Sequence, residues 1–113
     1  MTHEMHLQPK PFGQIKRGQK IWEIRFNDEK RQKVKAGDTI VFTNRDDGEK
    51  CEVTVTELVH APSFDELFKK IDLTEAGWPA GTAPEQASAD MRAYYDETDE
   101  SRFGVVAISL RIL

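Results

Sequence analysis

Hydrophobic and polar residues alternate along several short segments of the chain, as in strands that bury one face. The alternation is clearest over residues 20–26, where Trp22, Ile24 and Phe26 share the face that we expect to be core. The opposite face carries Ile21, Glu23, Arg25 and Asn27. This strand is therefore expected to have one apolar face and one charged face.

Other strands are expected at residues 5–8, 39–43, 50–59 and 103–113. The sequence from Asn44 to Gly48 contains Asp-Gly, which predicts a hairpin because glycine accommodates a positive φ. In the following strand the apolar positions change parity before Leu58, which predicts a β-bulge near Thr56 and Glu57. The terminal strand is mostly apolar, which predicts burial on both faces.

Three helices are predicted between these strands. Phe12 and Ile15, three residues apart, indicate a short helix over residues 11–17. Ser63 begins a capping box that leads into a second helix, and Thr82 begins a similar pattern before a third, which runs to about Tyr95. Residues 27–33 are expected to form a polar turn or a single helical turn, and residues 96–101 an acidic loop.

The predicted order is strand, helix, strand, strand, strand, helix, helix, strand. Too few helices separate the strands for a doubly wound sheet. The pattern therefore favours an α+β, mainly β fold: a small, partly open β-barrel whose ends are covered by helices. With 113 residues, the chain is expected to form a single domain over residues 1–113.

Composition excludes several classes of protein. The chain is 38% hydrophobic and 32% charged, and no apolar run approaches the ~20 residues that span a bilayer. The N-terminal segment resembles no signal peptide, and the lone Cys51 fits a buried strand position. A cytoplasmic location is the default expectation, and no motif predicts a cofactor.

Charge is distributed unevenly, although the net charge is only −4. Residues 1–35 contain nine Lys and Arg against four Asp and Glu, so their net charge is +5 and the remainder carries −9. This basic third is interpreted either as a positive groove on an acidic body or as solvated lysines on turns.

Lys20, Glu23 and Arg25, here called the charged triad, are the strongest candidate site. Glu23 and Arg25 lie two residues apart on one strand face, about 6.5–7 Å along the strand. Arg25 could bind a phosphate or a base carbonyl, and Glu23 could read a base edge or act as a general base. A structural salt bridge fits the same spacing.

Aromatic residues supply further candidates for a ligand site. Trp78, in a glycine- and proline-rich loop, and Tyr95 could stack on a base, although such residues are more often half-buried core. His3 and His6 invite a metal interpretation, but on a strand they point to opposite faces. The sequence therefore predicts no metal site.

The motif Gly18-x-Lys20-x-x-Glu23-x-Arg25 resembles the signature of the ASCH domain, a family named for homology to a human transcription coactivator. The similarity extends to MHLQPKPFGQIKRG before the motif and to FNDEKRQKVKAGDTIVF after it. The ending AYYDETDESRFGVVAISL is similar to the family's acidic loop and closing strand. The resemblance covers nearly the whole chain.

This resemblance implies a PUA-like barrel of about five or six strands with a helix-lined cleft, in which RNA or a nucleotide binds to Lys20, Glu23 and Arg25. Some relatives resemble small ribonucleases. A related bacterial branch removes the acetyl group from acetylated cytidine, with a threonine three residues after its lysine. Glu23 stands in that threonine's place here, so the motif points to binding more than to catalysis.

The leading hypothesis is accordingly a binding module for RNA or a modified nucleotide, with Lys20, Glu23, Arg25, Asn27, Trp78 and Tyr95 as ligand-binding residues. The alternative is a hydrolase acting on RNA or acylated cytidine, with Lys20 and Glu23 as catalytic residues. A third hypothesis is a protein-interaction domain that uses the acidic segment 96–100. The sequence does not determine the oligomeric state and leaves a monomer or a weak dimer open.

Overall fold

The computed structural model describes residues 1–112 of the chain. Within them it contains five strands, four α-helices and a short 3-10 helix. The strands are β1 (Thr2–Leu7), β2 (Trp22–Phe26), β3 (Thr39–Asn44), β4 (Lys50–Ala61) and β5 (Val105–Ile112). The helices are α1 (Pro9–Lys16), α2 (Phe64–Leu67), α3 (Pro84–Arg92) and α4 (Glu97–Phe103), with the 3-10 helix at Arg31–Lys33.

The strands form one mixed sheet in the order β1-β3-β4-β5-β2. β1 pairs with β3 in parallel, and every other neighbouring pair is antiparallel. β1 and β2 are therefore the two edges of the sheet. They are nevertheless consecutive strands in the sequence, with α1 between them. The sheet curls into a half-barrel, which confirms the predicted α+β, mainly β class.

Apolar residues form two cores, one on each face of the sheet. In the first core, Phe12 and Ile15 of α1 pack against strand residues such as Phe42. In the second, α2 and α3 pack Phe64, Leu67 and other residues against β2 and β5. β5 contributes to both cores through alternating residues, and its first four positions are fully buried, as its mostly apolar sequence predicts. The predicted start at residue 103 is wrong, because Phe103 belongs to α4, and burial on both faces does not extend to Arg111 and Ile112, which are exposed.

The curvature of the sheet has a local cause in β4. The pairing of β4 with β5 shifts register between Val55 and Glu57, so the predicted bulge is confirmed. Such a bulge adds one residue to one strand and bends it. The predicted hairpin is also present, since β3 and β4 pair antiparallel. Gly48, in the turn between them, has the expected positive φ, at +77°.

Two local predictions between the helices are wrong. Residues 96–101 are not a loop, since Asp96 caps α4 by accepting a hydrogen bond from the Thr98 N–H at 2.7 Å. Thr82 does not cap α3, because its hydroxyl donates to the Pro79 carbonyl and Ala83 takes the cap position. The sequence from Thr82 to Glu85 therefore matches the capping-box pattern, but Thr82 does not form the hydrogen bond of a capping box.

The helix beginning at Ser63 is correctly predicted but short. The Ser63 hydroxyl accepts a hydrogen bond from the Glu66 N–H at 3.2 Å, as in a capping box. The Phe64 N–H is satisfied from outside the helix, by the Glu100 carboxylate. Among residues 1–112, no helix is both long enough and apolar enough to cross a bilayer.

Candidate functional site

The charged triad is assembled around the carboxylate of Glu23. Lys20 Nζ lies 2.9 Å from Glu23 Oε1, and Arg25 Nε donates to Glu23 Oε2 at 2.7 Å. Each carboxylate oxygen therefore has its own cationic partner. Two cations and one anion leave the triad with a net charge of +1.

The strand register places the triad on the same face of the sheet as the first core. Glu23 pairs with Ile108 and Arg25 with Val106, and both β5 residues belong to that core. The side chains of Glu23, Lys20 and Arg25 are only 5%, 12% and 14% exposed. The charged face is therefore nearly enclosed at Glu23, because two cations and apolar neighbours surround the carboxylate.

Burial and charge act in opposite directions on Glu23. Burial alone would raise the pKa of its carboxyl group, but the charges of Lys20 and Arg25 and their hydrogen bonds outweigh burial and lower it. The pKa of Arg25 is raised, because its attraction to Glu23 outweighs its own desolvation. Both shifts favour the ionised forms of Glu23 and Arg25 near neutral pH.

Arg25 also links the two edges of the half-barrel. Its Nη2 donates to the backbone carbonyl of His6 in β1 at 2.9 Å. Lys30 Nζ donates to the carbonyl of Glu4, two residues earlier in the same strand, at 2.6 Å. Side chains from β2 and the segment after it thus satisfy carbonyls on the edge of β1, where no strand pairs with it.

Tyr95 lies near Arg25, but much of its ring is already packed. The ring meets Phe26 edge-on, with centroids 4.7 Å apart and an interplanar angle of 74°. Burial raises the pKa of Tyr95, and the positive charge of Arg25 partly offsets this effect. The predicted stacking residue is thus a half-buried part of the second core, with its hydroxyl in the field of the triad.

Asn27 directly follows β2 and is held by hydrogen bonds of its backbone. Its N–H donates to the Gly104 carbonyl at 3.0 Å, and its carbonyl accepts from Gln32 Nε2 at 2.8 Å. Its side-chain Oδ1 is buried without a hydrogen-bond partner among residues 1–112. Asn27 thus adds an unsatisfied acceptor one residue beyond the charged strand.

Trp78 does not belong to the charged triad but to a separate pocket. Its indole N–H donates to Asp90 Oδ2 at 3.0 Å, and its ring meets Phe68 edge-on, with centroids 5.2 Å apart. Trp78 lines a pocket of about 260 Å³ together with Lys10 and Gln14 of α1 and with Gln19. The structure therefore does not bring all six predicted residues into one cleft.

Lys20 lies between this pocket and another. It lines a mainly apolar pocket of about 320 Å³ with Ile15, Ile21 and Leu110. A methyl group added at Gly77, which lines the Trp78 pocket, would lie 3.3 Å from Lys20 Cδ. The stem of Lys20 therefore forms part of the wall behind Gly77, and its ammonium group reaches the triad.

The family model of the ASCH domain matches residues 5–113, which include the whole charged triad. This chain belongs to the ASCH domain family. Among curated proteins, none matches it.

Solved structures share the fold of this ASCH domain over at least 96% of its length. The crystal structure of the hypothetical protein PH0355 is 34% identical, with a TM-score of 0.88 and complete coverage of both chains. The solution structure of PF0455 from Pyrococcus furiosus is 36% identical, with a TM-score of 0.77, and 100% of this chain and 98% of that one are covered. An ASCH structure from Zymomonas mobilis is 17% identical at a TM-score of 0.69, with 96% of this chain and 65% of that one covered, and shows the fold alone.

Several polar residues of this ASCH domain were missed by sequence reasoning. Lys10 and Gln14 line the Trp78 pocket, and their spacing of four residues would have placed them on one helix face. Gln19 and Thr74 line it from loops, where no periodicity signals a shared site. Only the fold brings these segments together.

The histidines of this ASCH domain follow the predicted alternation. His3 is buried, with its Nε2 2.8 Å from Asp38 Oδ2, whereas His6 is exposed. Their rings are therefore on opposite faces of β1. Within residues 1–112, no three His, Cys, Asp or Glu side chains form a group suited to a metal ion.

Proposed function

We propose that this ASCH domain binds RNA or a modified nucleotide through Lys20 and Arg25, with Glu23 holding both cations in position. The observation that carries the proposal is the excess positive charge of the triad. One carboxylate is shared by two cations, so an anionic ligand can complete the charge balance.

The hydrogen bonds of Arg25 support this role. Its Nε is used by Glu23 and its Nη2 by His6, which leaves other N–H groups of the guanidinium for a ligand. Because the two bonds fix the plane of the guanidinium, a phosphate or base oxygen meets donors that are already oriented. Lys20 likewise has N–H donors beyond the one directed at Glu23.

The same geometry favours binding over hydrolysis. A general base works best with a pKa near the working pH, whereas the pKa of Glu23 is lowered. Both of its oxygens are also engaged by cations. A positioning role for Glu23 therefore agrees better with its surroundings than proton abstraction does.

The acidic segment 96–100 exposes less negative charge to a protein partner than its sequence predicts. Asp96 caps α4, and Glu100 is buried under Arg92. Only part of the segment's negative charge is therefore exposed. These contacts support ligand binding at the triad ahead of a protein-interaction role for residues 96–100.

The test is a titration of short single-stranded RNA and of nucleotides into wild-type protein, Lys20→Ala and Arg25→Ala. We expect each substitution to weaken binding and to reduce the dependence of log K on log[salt] by about one phosphate contact. Lys69→Ala, which removes an exposed cation paired with Glu66, is the matched control and should bind as the wild type does.

Folding must be separated from binding, because removing one cation leaves Glu23 buried with less compensation. The variant Lys20→Ala/Glu23→Gln removes a cation together with the charge it neutralises, and circular dichroism verifies that each variant is folded. Equal affinity of all folded variants for RNA would contradict the proposal. Turnover of RNA or acetylated cytidine that is lost in Glu23→Gln would instead establish the hydrolase alternative.

A further inference from the structure

The pocket beside Trp78 is separate from the charged triad but shares a wall with it. It is bounded by α1 on one side and by the loop containing Gly77 and Trp78 on the other. Gln14 Nε2 donates to the Gly77 carbonyl at 3.2 Å and so ties the two sides together. The carbon stem of Lys20 lies behind Gly77, within contact of any side chain placed there.

The size of the pocket limits its ligand. Its volume of about 260 Å³ is below the range of roughly 300–1,000 Å³ that is usual for drug-sized ligands. A single heterocycle with part of its sugar fits such a space better than a dinucleotide. Trp78 and Pro79 provide flat apolar surface, which is what a planar ring requires.

The amide groups in the pocket have fixed orientations. Since a carbonyl oxygen only accepts, the nitrogen of Gln14 must face Gly77 and its Oε1 is left as an acceptor. Since a guanidinium only donates, Gln19 directs its Oε1 at Arg17 Nε, 3.3 Å away, and its Nε2 is left as a donor. Gln14 and Gln19 therefore bring one free acceptor and one free donor to the set of residues that line the pocket with Trp78.

This combination matches the edge of a nucleobase. Bases present neighbouring donors and acceptors on their edges, and proteins read unpaired bases by amide hydrogen bonds combined with aromatic stacking. Lys10 adds a cation at the same pocket, suited to a phosphate on the attached sugar. The indole of Trp78 is held by Asp90 and Phe68, so its ring is already positioned.

We infer that the Trp78 pocket is a subsite for one unpaired nucleobase, read by Gln14 and Gln19 and stacked on Trp78. The inference rests on the proposed function, because it identifies where the base of an RNA ligand lies while its backbone contacts the triad. The carbon stem of Lys20 lies next to Gly77 of the subsite and its ammonium group belongs to the triad, so Lys20 connects the two places.

The experiment uses nucleosides, which lack phosphate, and so isolates the base subsite from the triad. Adenosine, guanosine, cytidine and uridine are titrated into 15N-labelled protein while the two indole N–H signals are followed by NMR. We expect at least one nucleoside to shift the Trp78 signal while leaving Trp22, which is buried, unchanged. Inorganic phosphate should not reproduce that shift.

Two variants test the contacts. Trp78→Leu should weaken nucleoside binding about tenfold, because it removes the aromatic ring on which the base stacks. Gln19→Ala should weaken it about fivefold by removing one hydrogen bond. Gln19 is exposed, so this second variant remains informative if Trp78→Leu fails to fold. Gln8→Ala, which removes another exposed glutamine, is the control and should have no effect.

The outcomes separate the subsite from the general function. If RNA binding depends on Arg25 but is unchanged in Trp78→Leu and Gln19→Ala, and no nucleoside shifts the Trp78 signal, the subsite is overturned and the proposed function stands. If neither nucleosides nor RNA bind to the wild-type protein, both proposals are overturned.

Discussion

The carboxylate of Glu100 in α4 accepts a hydrogen bond from the backbone N–H of Phe64, 36 residues earlier, at 2.8 Å. Phe64 begins α2, where the first N–H groups of a helix have no partner inside the helix. Arg92 of α3 donates to both oxygens of the same carboxylate, at 3.0 and 2.9 Å. One buried side chain therefore joins three helices.

We predict that Glu100→Ala destabilises the protein by about 3 kcal/mol, because it strands a buried N–H and breaks a nearly buried ion pair. Denaturant unfolding measures the change. Glu97→Ala is the control, since Glu97 lies on the same helix but is exposed, and it should change the free energy of unfolding by less than about 0.5 kcal/mol. Similar losses in the two variants would show that the carboxylate of Glu100 has no special part.

Glu100 also shows where sequence reasoning reached its limit. The segment from Asp96 to Ser101 has no apolar periodicity, so its negative charge indicated a loop. Asp96 is a typical N-cap residue, and this was the available signal for α4. The burial of Glu100 had no such signal, because it depends on Arg92 and Phe64 from two other helices.

Strands were predicted more accurately than their arrangement. Alternation located β2 and the parity change located the bulge near Glu57, since both are local properties of the chain. The parallel pairing of β1 with β3 leaves no local trace, and neither does the placement of β5 between β4 and β2. The pairing of strands that are distant in sequence depends on the packing of the whole sheet.

The candidate site was predicted in part for the same reason. Glu23 and Arg25 lie two residues apart on β2, and Lys20, two residues before the strand, contacts the same carboxylate, so residues close in sequence form the triad. Trp78 is placed by a loop and by its contact with Phe68, neither of which a strand pattern describes. The position of Trp78 in a separate pocket depends on how the fold brings its loop next to α1.

Arg25 provides a test of how the half-barrel is joined. Arg25→Lys keeps the charge but loses the planar fork that contacts both Glu23 and the His6 carbonyl. We expect a loss of about 2 kcal/mol in the free energy of unfolding, since hydrogen bonds to charged groups contribute ~1.5–3 kcal/mol each. Relative to the wild type, amide hydrogen exchange should accelerate more in β1 than in β4.

The control for this prediction is Arg45→Lys, because Arg45 is an exposed arginine outside the triad. It should leave both the stability and the exchange of β1 unchanged. If β1 exchanges equally slowly in Arg25→Lys and in the wild type, Arg25 does not link the edges of the sheet.

Glu23 gives the protein a predictable response to acid. Its pKa in the folded state is lower than the ordinary value of 4.5, so the unfolded chain binds the proton more readily. The stabilisation from Glu23 is therefore fully present above about pH 4.5 and is lost as the pH falls through the folded-state pKa. Stability should therefore decline as the pH falls from about 4.5 towards the lower folded-state pKa.

Thermal unfolding of wild type and Glu23→Gln between pH 7 and pH 3 measures this contribution. We expect the wild type to be more stable at pH 7 and the difference between the two proteins to shrink as the pH falls. Other carboxyl groups with a lowered pKa, such as Asp65 and Asp38, titrate in both proteins and cancel in the comparison. A difference independent of pH would show that Glu23 is not ionised against its partners.

Gly104 and Gly18 form a matched pair for testing backbone geometry. Gly104 links α4 to β5 with a φ of +69°, and Gly18 precedes the triad with a φ of +75°. An added Cβ at Gly104 would lie 2.9 Å from the Ala61 carbonyl oxygen, whereas at Gly18 it would meet no atom within 4 Å. Both substitutions strain the backbone, but only one also forces a collision with main chain.

We therefore expect Gly18→Ala to cost about 1 kcal/mol, from the left-handed backbone alone. Gly104→Ala should cost at least about 2–3 kcal/mol, because a φ of +69° with a ψ of −172° is a backbone conformation nearly restricted to glycine and the neighbouring backbone of β4 must also move. Denaturant unfolding of both variants measures the difference, and RNA titration of folded Gly18→Ala separates stability from binding at the adjacent triad. Equal losses in the two variants would mean that the contact with Ala61 is relieved without cost.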